Sequence, residues 1–189
     1  MRTVGLFGGS FNPPHVGHLL AALYVLETAP IQELWFVPTW KHALGKELAA
    51  SFDDRIAMCE LAAAALGPRA QVSRAEEEVA RTRGENRTLF LCEHLAAVHP
   101  DLGFRLIIGA DILHETHRWH RWDDVCRLAP PIVLGRGGVV PPPGAHVSDV
   151  MMPEVSSTEI RRRLAMSADV SGLVPREILG YIARRGLFR

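Results

Sequence analysis

Several features that would place the chain in a familiar class are scarce or missing from its 189 residues. Its three cysteines are an odd number, lie far apart and never form C-x-x-C, which argues against a disulfide framework and a zinc knuckle. No apolar run approaches the roughly 20 residues of a membrane span, and no charged leader precedes the first apolar segment. We therefore expect buried thiols and a cytoplasmic location.

Net charge is also missing. The 21 basic and 21 acidic residues cancel, so the chain has no general electrostatic footprint for nucleic acid or an anionic membrane. Anion binding must then be local. Lys41 and Lys46 are the only lysines in the sequence, and both lie in one short segment. We expect small-molecule ligands and neither nucleic acid nor membrane as a partner.

The remaining composition is that of one globular domain. A chain of this length with 48% hydrophobic residues can bury a full core, and no repeat or linker divides it, so we expect a single domain over residues 1–189. Apolar segments that suit strands alternate with segments that suit helices. The predicted strands lie at residues 4–7, 33–38, 70–73, 104–111, 132–135 and 147–152. This alternation predicts an α/β fold with a Rossmann-like, doubly wound and mostly parallel sheet.

The predicted helices begin near Val16, at a cap on Asp53, near Val155 and at Pro175, with a further helix ending before Pro100. Residues 39–50 show no periodicity and are predicted to form a loop. Residues 74–87 are highly charged and are predicted to be a solvated segment.

The chain is organised around residues 3–20, T-V-G-L-F-G-G-S-F-N-P-P-H-V-G-H-L-L. We expect Gly8 and Gly9 to turn the backbone sharply after a short strand and to let it come close to a ligand. The helix that follows would direct its free N–H groups and the positive end of its dipole at the same place. His15 and His18 are three residues apart and can point to one side of it. The combination predicts a phosphate site.

Two common phosphate motifs do not describe this segment. No G-x-x-x-x-G-K-[ST] occurs in the chain, and the spacing of Gly5, Gly8 and Gly9 does not fit G-x-G-x-x-G. These absences argue against kinase-like and dehydrogenase-like proteins.

A second polar group opens a helix near residue 156. Ser156, Ser157 and Thr158 offer hydroxyls and free N–H groups, and Arg161 follows one turn later. Polyphosphate fits such a site. The neighbouring arginines, at 162 and 163, are expected to point away and lie on the surface.

The strand at 104–111 is strongly apolar and ends in Gly109 and Asp111, at the edge where ligands bind in open α/β sheets. Three histidines follow, His114, His117 and His120. Their pattern is one residue short of H-E-x-x-H, and His120 would turn away from the face that the other two share. We therefore expect no metal site there.

These motifs resemble those of the bacterial nicotinate mononucleotide adenylyltransferases, within the H-x-G-H nucleotidylyltransferase superfamily. The similar stretches are G-G-S-F-N-P-P-H-V-G-H at 8–18, V-S-S-T-E-I-R at 155–161, and G-A-D at 109–111 with Trp119 eight residues after Asp111. The resemblance spans residues 7 to 161 and implies the Rossmann-like fold. It also implies adenylyl transfer from ATP to nicotinate mononucleotide in NAD biosynthesis, with pyrophosphate as the second product.

The resemblance also implies roles for individual residues. Catalysis is assigned to His15, His18 and Arg161. ATP binding is assigned to Gly8, Gly9, Ser10, Phe11, His15, His18, Ser156, Ser157, Thr158 and Arg161. Mononucleotide binding is assigned to Ser10, Phe11, Lys41, His42, Lys46, Thr88, Gly109, Asp111 and Trp119, whose counterpart stacks on the pyridine ring in relatives. Mg²⁺ is expected to arrive with ATP, because no carboxylate cluster offers it a dedicated cage.

Two segments depart from the family pattern. Relatives often carry P-P-H-K after the second strand, whereas this chain has P-T-W-K-H-A-L-G-K, so the role carries over only as a local cationic cluster. Relatives usually carry S-Y-T-x-D-T-L before the helix at Leu89, whereas this chain has G-E-N-R-T-L, and only Thr88 and Leu89 match. Base selectivity is therefore open, and nicotinamide mononucleotide is an alternative or additional substrate.

Two further alternatives remain. One is another H-x-G-H transferase, such as one that acts on phosphopantetheine or glycerol phosphate. The other, from a different class, is a non-catalytic NAD-binding regulatory module. A homo-oligomer is compatible with all of these.

Overall fold

Six parallel strands form one sheet in the computed structural model, which describes residues 1–41, 48–135 and 140–189. The strands are Arg2–Gly9 (β1), Glu33–Pro38 (β2), Ala70–Val72 (β3), Leu102–Gly109 (β4), Ile132–Leu134 (β5) and His146–Ser148 (β6). Their order across the sheet is β3-β2-β1-β4-β5-β6. This is the strand order of a doubly wound fold. The numbering runs outward from β1 to β3 on one side, and β4 to β6 follow on the other side. The predicted Rossmann-like parallel sheet is confirmed.

Seven α-helices occur in the same described ranges. They are Val16–Thr28 (α1), Phe52–Leu66 (α2), Ala75–Arg83 (α3), Thr88–Val98 (α4), Trp122–Leu128 (α5), Ser157–Ala165 (α6) and Arg176–Arg185 (α7). Two short 3-10 helices, Ala110–His114 and Thr116–Arg118, follow β4.

Alternating side chains of the strands build a core on each face of the sheet. On one face, Phe36 and Ile107 belong to a buried cluster with residues of α1, α2, α6 and α7. On the other face, Trp35 and Leu106 belong to a second cluster with residues of α3, α4 and α5. Helices therefore cover both faces, which leaves the strand ends as the accessible edges of the sheet.

The first strand is longer than predicted. β1 continues through Gly8 and Gly9, and neither glycine has a positive φ, so the expected glycine turn is wrong. The left-handed residue is instead Phe11, with φ at 45°. Pairing with β2 keeps the glycines extended, because Gly8 and Gly9 lie opposite Val37 and Pro38 of that strand.

The start of α1 at Val16 is confirmed, whereas the predicted cap of α2 is wrong. Ser51 is the cap, and its Oγ accepts a hydrogen bond from the backbone N–H of Asp54 (3.1 Å). Asp53 lies in the first turn, where its carboxylate accepts a hydrogen bond from Arg74 (2.7 Å). A serine two residues earlier therefore takes the capping position.

The charged segment at 74–87 is not simply solvated, since it contains α3. Glu77 is only 6% exposed, and it pairs with Arg74 (2.8 Å) and Arg81 (2.6 Å). Val79 is buried beside it. The helix forms because ion pairs compensate its one buried carboxylate while its apolar side faces the core.

Two strands end at least two residues earlier than predicted. β4 stops at Gly109, so Asp111 lies in the first 3-10 helix, and β6 covers only His146–Ser148, not residues 149–152. The prediction of buried thiols is confirmed for Cys59 and Cys92, while the third, at 126, is partly exposed. Among the described residues, no helix combines the length and apolar character needed to cross a membrane.

Candidate active site

The predicted motifs meet at the carboxyl edge of the sheet, around the ends of β1 and β4. β1 pairs with β2 on one side and with β4 on the other, so its carboxyl end is the point where the chain connections diverge. Gly8 is exposed there, and a Cβ on it would meet no atom of the described residues within 4 Å. His15 is the N-cap of α1 at the same edge. Ligands bind at such points in doubly wound sheets.

The segment between β1 and α1 is fixed mainly through its backbone carbonyls, which accept hydrogen bonds from side chains of α2 and α6. The donors are Arg55 for Ser10 (2.9 Å), Arg161 for Asn12 (2.7 Å) and Ser157 for Pro13 (2.9 Å). The side chain of Asn12 is also buried and accepts a hydrogen bond from the backbone N–H of Ala50 (3.2 Å). The segment is therefore held by donors on two different helices, α2 and α6.

His15 and His18 form a stacked pair at the start of α1. Their ring centroids are 3.7 Å apart and the planes are inclined by 24°. The backbone N–H of His15 donates a hydrogen bond to Nδ1 of His18 (3.2 Å), so the neutral His18 ring carries its proton on Nε2. Nδ1 of His15 is buried and has no hydrogen-bond partner among the described residues. Both rings are thus held in place by the first turn of the helix.

Gly17 stands between the histidines because a larger residue would disturb them. A Cβ on Gly17 would lie 3.1 Å from Nδ1 of His15, 3.2 Å from its Cε1 and 3.5 Å from the carbonyl oxygen of Pro153. These distances leave no free space for a methyl group. The glycine therefore leaves room for the His15 ring in its observed position, although glycine lowers the intrinsic stability of the helix.

Both histidines are neutral at pH 7. Burial lowers the pKa of His15 to about 4. Burial, followed by repulsion from His15, lowers the pKa of His18 to about 3. The free site therefore offers neutral hydrogen-bond donors rather than two imidazolium ions.

The lowered pKa values predict a loss of stability below pH 6.5. An unfolded histidine takes up its proton near pH 6.5, whereas these two need a lower pH in the fold. The unfolded state then binds more protons, so the free energy of unfolding falls as the pH falls. When the pH is lowered from about 7.5 to about 5.5, we expect each ring to reduce the free energy of unfolding by about 1 kcal/mol.

Urea denaturation at both pH values measures this loss. The His15→Gln/His18→Gln double variant is the control, since it keeps every other titrating group. Its stability should fall less than that of the native protein. Equal losses would show that both rings titrate normally in the fold.

The side chain of Phe11 belongs to the core next to the histidine pair and is not exposed to a ligand. Its ring is fully buried and packs edge-on against His18 (5.0 Å) and Phe7 (5.6 Å). The ring supports His18 from below and cannot stack on a substrate. Any contact of Phe11 with a ligand must therefore be made by its backbone, and its role in binding stays a prediction.

The start of α6 adjoins the histidine pair through residues 12 and 13. Arg161 donates to the carbonyl of Asn12 and, through Nη2, to Thr158 Oγ1 (3.2 Å). Ser156 is the N-cap, and no side chain in the described ranges caps the first-turn N–H groups. Glu159 is the acid of this turn, but its carboxylate pairs with the next two arginines, at 162 (2.7 Å) and 163 (2.8 Å). The Arg161 charge is therefore not compensated by an acid within the described residues.

A separate cleft of about 680 Å³ is bordered by α3, α4 and the second 3-10 helix. It brings together three predicted mononucleotide residues, Lys41, Thr88 and Trp119. Its other lining residues are Trp40, Ala80, Arg81, Gly84, Glu85, Asn86, Arg87, Arg118 and His120. Trp119 is half-buried and packs edge-on against Trp122 (5.2 Å), which leaves part of the Trp119 ring accessible.

Gly109 and Asp111 are not among the residues that line this cleft. Asp111 is exposed just beyond β4, and a Cβ on Gly109 would collide with its carboxylate. His120 lines the cleft and packs against Phe90 (5.7 Å). In the described part of the chain, no group of three or more histidine, cysteine or acidic side chains is arranged to hold a metal ion.

Two predicted residues, His42 and Lys46, lie outside the described residues. Conversely, sequence reasoning missed Arg55 and Trp40. Arg55 is 1% exposed and bonds to the carbonyl of Ser10, and Trp40 lines the cleft. A signal for Arg55 existed, because it shares a helix face with the buried Met58 and Cys59, three and four residues later.

Comparison with known proteins agrees with this arrangement. The profile of the cytidylyltransferase-like family matches residues 6–163. An Anaeromyxobacter sp. (strain K) protein named "Probable nicotinate-nucleotide adenylyltransferase" is 52% identical over 188 residues, covering 100% of this chain and 97% of that protein. A protein of the same name from Myxococcus xanthus is 39% identical, with 98% and 94% covered.

A solved structure shows the same fold. It is Plasmodium falciparum nicotinic acid mononucleotide adenylyltransferase complexed with NaAD, at a TM-score of 0.81 and 18% identity, covering 100% of this chain and 98% of that one. The full-length identities, the family profile and the histidine motif at the end of β1 agree with one another. The chain therefore belongs to the nicotinate-nucleotide adenylyltransferase family of cytidylyltransferase-like proteins.

Proposed function

We propose that this protein transfers the adenylyl group of ATP to nicotinate mononucleotide, giving nicotinate adenine dinucleotide and pyrophosphate in NAD biosynthesis. One observation carries the proposal: the stacked, neutral His15–His18 pair and the uncompensated Arg161 are joined through residues 12 and 13. Such a group suits a polyphosphate, and the cleft with Trp119 offers room for a second ligand. Relatives that cover the whole chain carry the same activity in their names.

The reaction is an in-line displacement at the α-phosphorus of ATP. An oxygen of the mononucleotide 5′-phosphate forms the new P–O bond while the bond from the α-phosphorus to the bridging oxygen of the β-phosphate breaks, and pyrophosphate leaves. The nucleophile is already ionised at neutral pH, so no general base is needed. The protein then acts by positioning both substrates and stabilising charge.

We assign His18 to the α-phosphate, because its Nε2–H is a neutral donor whose ring is fixed by His15 and Phe11. His15 helps to hold the polyphosphate. Arg161 neutralises the charge that develops on pyrophosphate, and the hydroxyls and first-turn N–H groups at residues 156–158 contact the phosphates. Gly8 and Gly9 allow the chain to lie close to ATP. Mg²⁺ enters as part of the MgATP substrate.

The charges that line the cleft favour a mononucleotide with a carboxylate on its pyridine ring over one with a neutral carboxamide. Among the described residues that line it, four are cationic, Lys41, Arg81, Arg87 and Arg118, and one is acidic, Glu85. Arg81 pairs with Glu77 (2.6 Å) and Arg87 pairs with Glu85 (3.0 Å). Lys41 and Arg118 have no ion-pair partner among the described residues. Nicotinate mononucleotide carries one more negative charge than its nicotinamide counterpart, and this supports the nicotinate form.

The direct test is pyrophosphate release from MgATP with nicotinate mononucleotide and with nicotinamide mononucleotide, in parallel. Release with the nicotinate form, with the dinucleotide as coupled product, supports the proposal. Release with the nicotinamide form alone would reverse the base preference. Bound dinucleotide with no release from either would favour the regulatory module, and release only with another phosphate acceptor would favour a different H-x-G-H transferase.

Arg118→Gln should lower the preference for nicotinate. The charge of Arg118 is exposed, so we expect the ratio of kcat/KM for nicotinate and nicotinamide mononucleotide to fall about threefold to fivefold. Arg81→Gln is the matched control, since Arg81 lines the same cleft but is already paired with Glu77. An equal loss with both substrates would place Arg118 at the shared phosphate rather than at the base.

As part of the proposal we keep the expectation of a cytoplasmic enzyme that acts on small molecules. Light scattering of the purified protein will determine whether it is a homo-oligomer.

A further inference from the structure

Arg55 is the largest fully buried side chain in the described structure and is not part of any predicted motif. It lies in the first turn of α2 and is 1% exposed. Its Nη1 donates to the carbonyl oxygen of Ser10 (2.9 Å) and its Nη2 to that of Trp40 (3.4 Å), while Nε is buried without a partner among the described residues. The preceding acid, Asp54, accepts from Tyr181 (2.8 Å) and Arg185 (3.0 Å) instead. Burying a guanidinium without a carboxylate is costly, so its position calls for a specific role.

The two carbonyls that Arg55 joins belong to different parts of the candidate site. Ser10 lies in the segment that carries the predicted ATP residues, between β1 and the histidine pair. Trp40 follows β2 and lines the 680 Å³ cleft together with Trp119. A backbone hydrogen bond from Thr39 to Gly9 (2.9 Å) brings the two segments alongside each other at the same level. Arg55 therefore bridges the two substrate regions from beneath.

Trp40 is held on several sides in addition to this bond. Its ring packs edge-on against Phe52 (4.7 Å), and its backbone N–H donates to the carboxylate of Glu76. The guanidinium of Arg55 lies 5.3 Å from the centre of the same Phe52 ring. The backbone N–H and the carbonyl of Trp40 are thus both hydrogen-bonded, which holds this residue in the wall of the cleft.

We propose that Arg55 is a positioning residue that sets the spacing between the ATP site and the mononucleotide cleft. The inference rests on the proposed function, in which the phosphate of one substrate attacks the α-phosphorus of the other in line. Such a reaction depends on the separation of the two bound substrates, and an error of about 1 Å can cost about a hundredfold in rate. Arg55 touches neither substrate and acts through the two carbonyls.

The test separates the spacing of the sites from the quality of each site. Nicotinate adenine dinucleotide spans both regions, whereas a non-hydrolysable ATP analogue and nicotinate mononucleotide each occupy one. In Arg55→Lys, a single ammonium cannot reproduce the fork that reaches two carbonyls. Calorimetry should show about tenfold weaker binding of the dinucleotide, while the affinities of the two separate ligands change less than about twofold. Turnover should fall about tenfold with little change in either KM.

Arg69→Lys is the matched control. Arg69 also donates to a backbone carbonyl, that of Leu26 (3.0 Å), but it lies beside the carboxyl end of α1, away from the site. Its dinucleotide affinity and turnover should match the native protein. Phe52→Leu provides a second variant if the Arg55 substitution prevents folding, because it loosens Trp40 from the other side and should also weaken the dinucleotide selectively.

The inference is overturned if dinucleotide affinity and turnover are unchanged in a folded Arg55→Lys protein, or if the separate ligands lose as much affinity as the dinucleotide. In the Phe52→Leu protein, unchanged dinucleotide binding has the same meaning. Failure of the proposed function looks different, since the native protein would then release no pyrophosphate with either mononucleotide.

Discussion

Replacing His18 with alanine should lower kcat by about 10²–10³-fold while KM for ATP changes little. The reason is the fixed donor that the native ring provides. Nδ1 of His18 accepts a hydrogen bond from the backbone N–H of His15, and the ring packs against Phe11. The Nε2–H of His18 is therefore already oriented before the substrate binds. Charge on the α-phosphate is redistributed as the new bond forms, and a donor placed in advance favours that state over the ground state.

Steady-state kinetics with ATP varied at saturating nicotinate mononucleotide measures the effect. His99→Ala is the matched control, because His99 is also half-buried and also packs edge-on against an aromatic ring, that of Trp35 (5.2 Å), at the opposite end of α4 from the cleft. Turnover of that variant should stay close to native. Native turnover in His18→Ala would remove His18 from the chemistry.

Replacing Arg161 with methionine should lower kcat by about 10²-fold. Its charge is not shared with Glu159, whose carboxylate pairs with the two following arginines, so it remains available for the leaving pyrophosphate. Arg162→Met is the control on the same helix, and we expect it to be nearly silent because that side chain is exposed.

Arg161 also holds the carbonyl of Asn12, and a second variant separates this contribution from charge. Ser157→Ala removes the neighbouring bond to the carbonyl of Pro13 but no charge. It should therefore cost much less turnover than Arg161→Met. Equal losses in these two variants would mean that Arg161 works only by holding the segment.

The fold was predictable where local patterns decide it. β2 and the start of α1 depend on the apolar run of 33–38 and on prolines before Val16, and both occur as expected. The glycine turn was not predictable, because pairing with β2 keeps Gly8 and Gly9 extended. The α3 helix was not predicted for a related reason. Glu77 can be buried because Arg74 and Arg81 pair with it, and a highly charged segment does not by itself show which acid is paired in this way.

The candidate site divides in the same way. His15, His18 and Arg161 stand out because their spacing follows helix geometry, and the structure brings them to one edge. The complete burial of the Phe11 ring was not predictable, because it depends on contacts such as that with Phe36 (5.5 Å), which only the fold brings together. Arg55 has partners 45 and 15 residues away, and such long-range contacts have no periodicity in the sequence.

Three of the bonds that fix residues 10–13 end on backbone carbonyls, and this determines how the segment tolerates change. Any residue that keeps the backbone path presents the same carbonyl, so these three bonds place no demand on the side chains at 10, 12 and 13. The demand falls on the donors, which lie far away in the sequence on α2 and α6. In a library that randomises residues 10, 12 and 13, we expect variants to keep these three hydrogen bonds and to lose activity through changed packing or substrate contacts. In a library that randomises the donors Arg55, Ser157 and Arg161, we expect variants to lose the hydrogen bonds and the activity together.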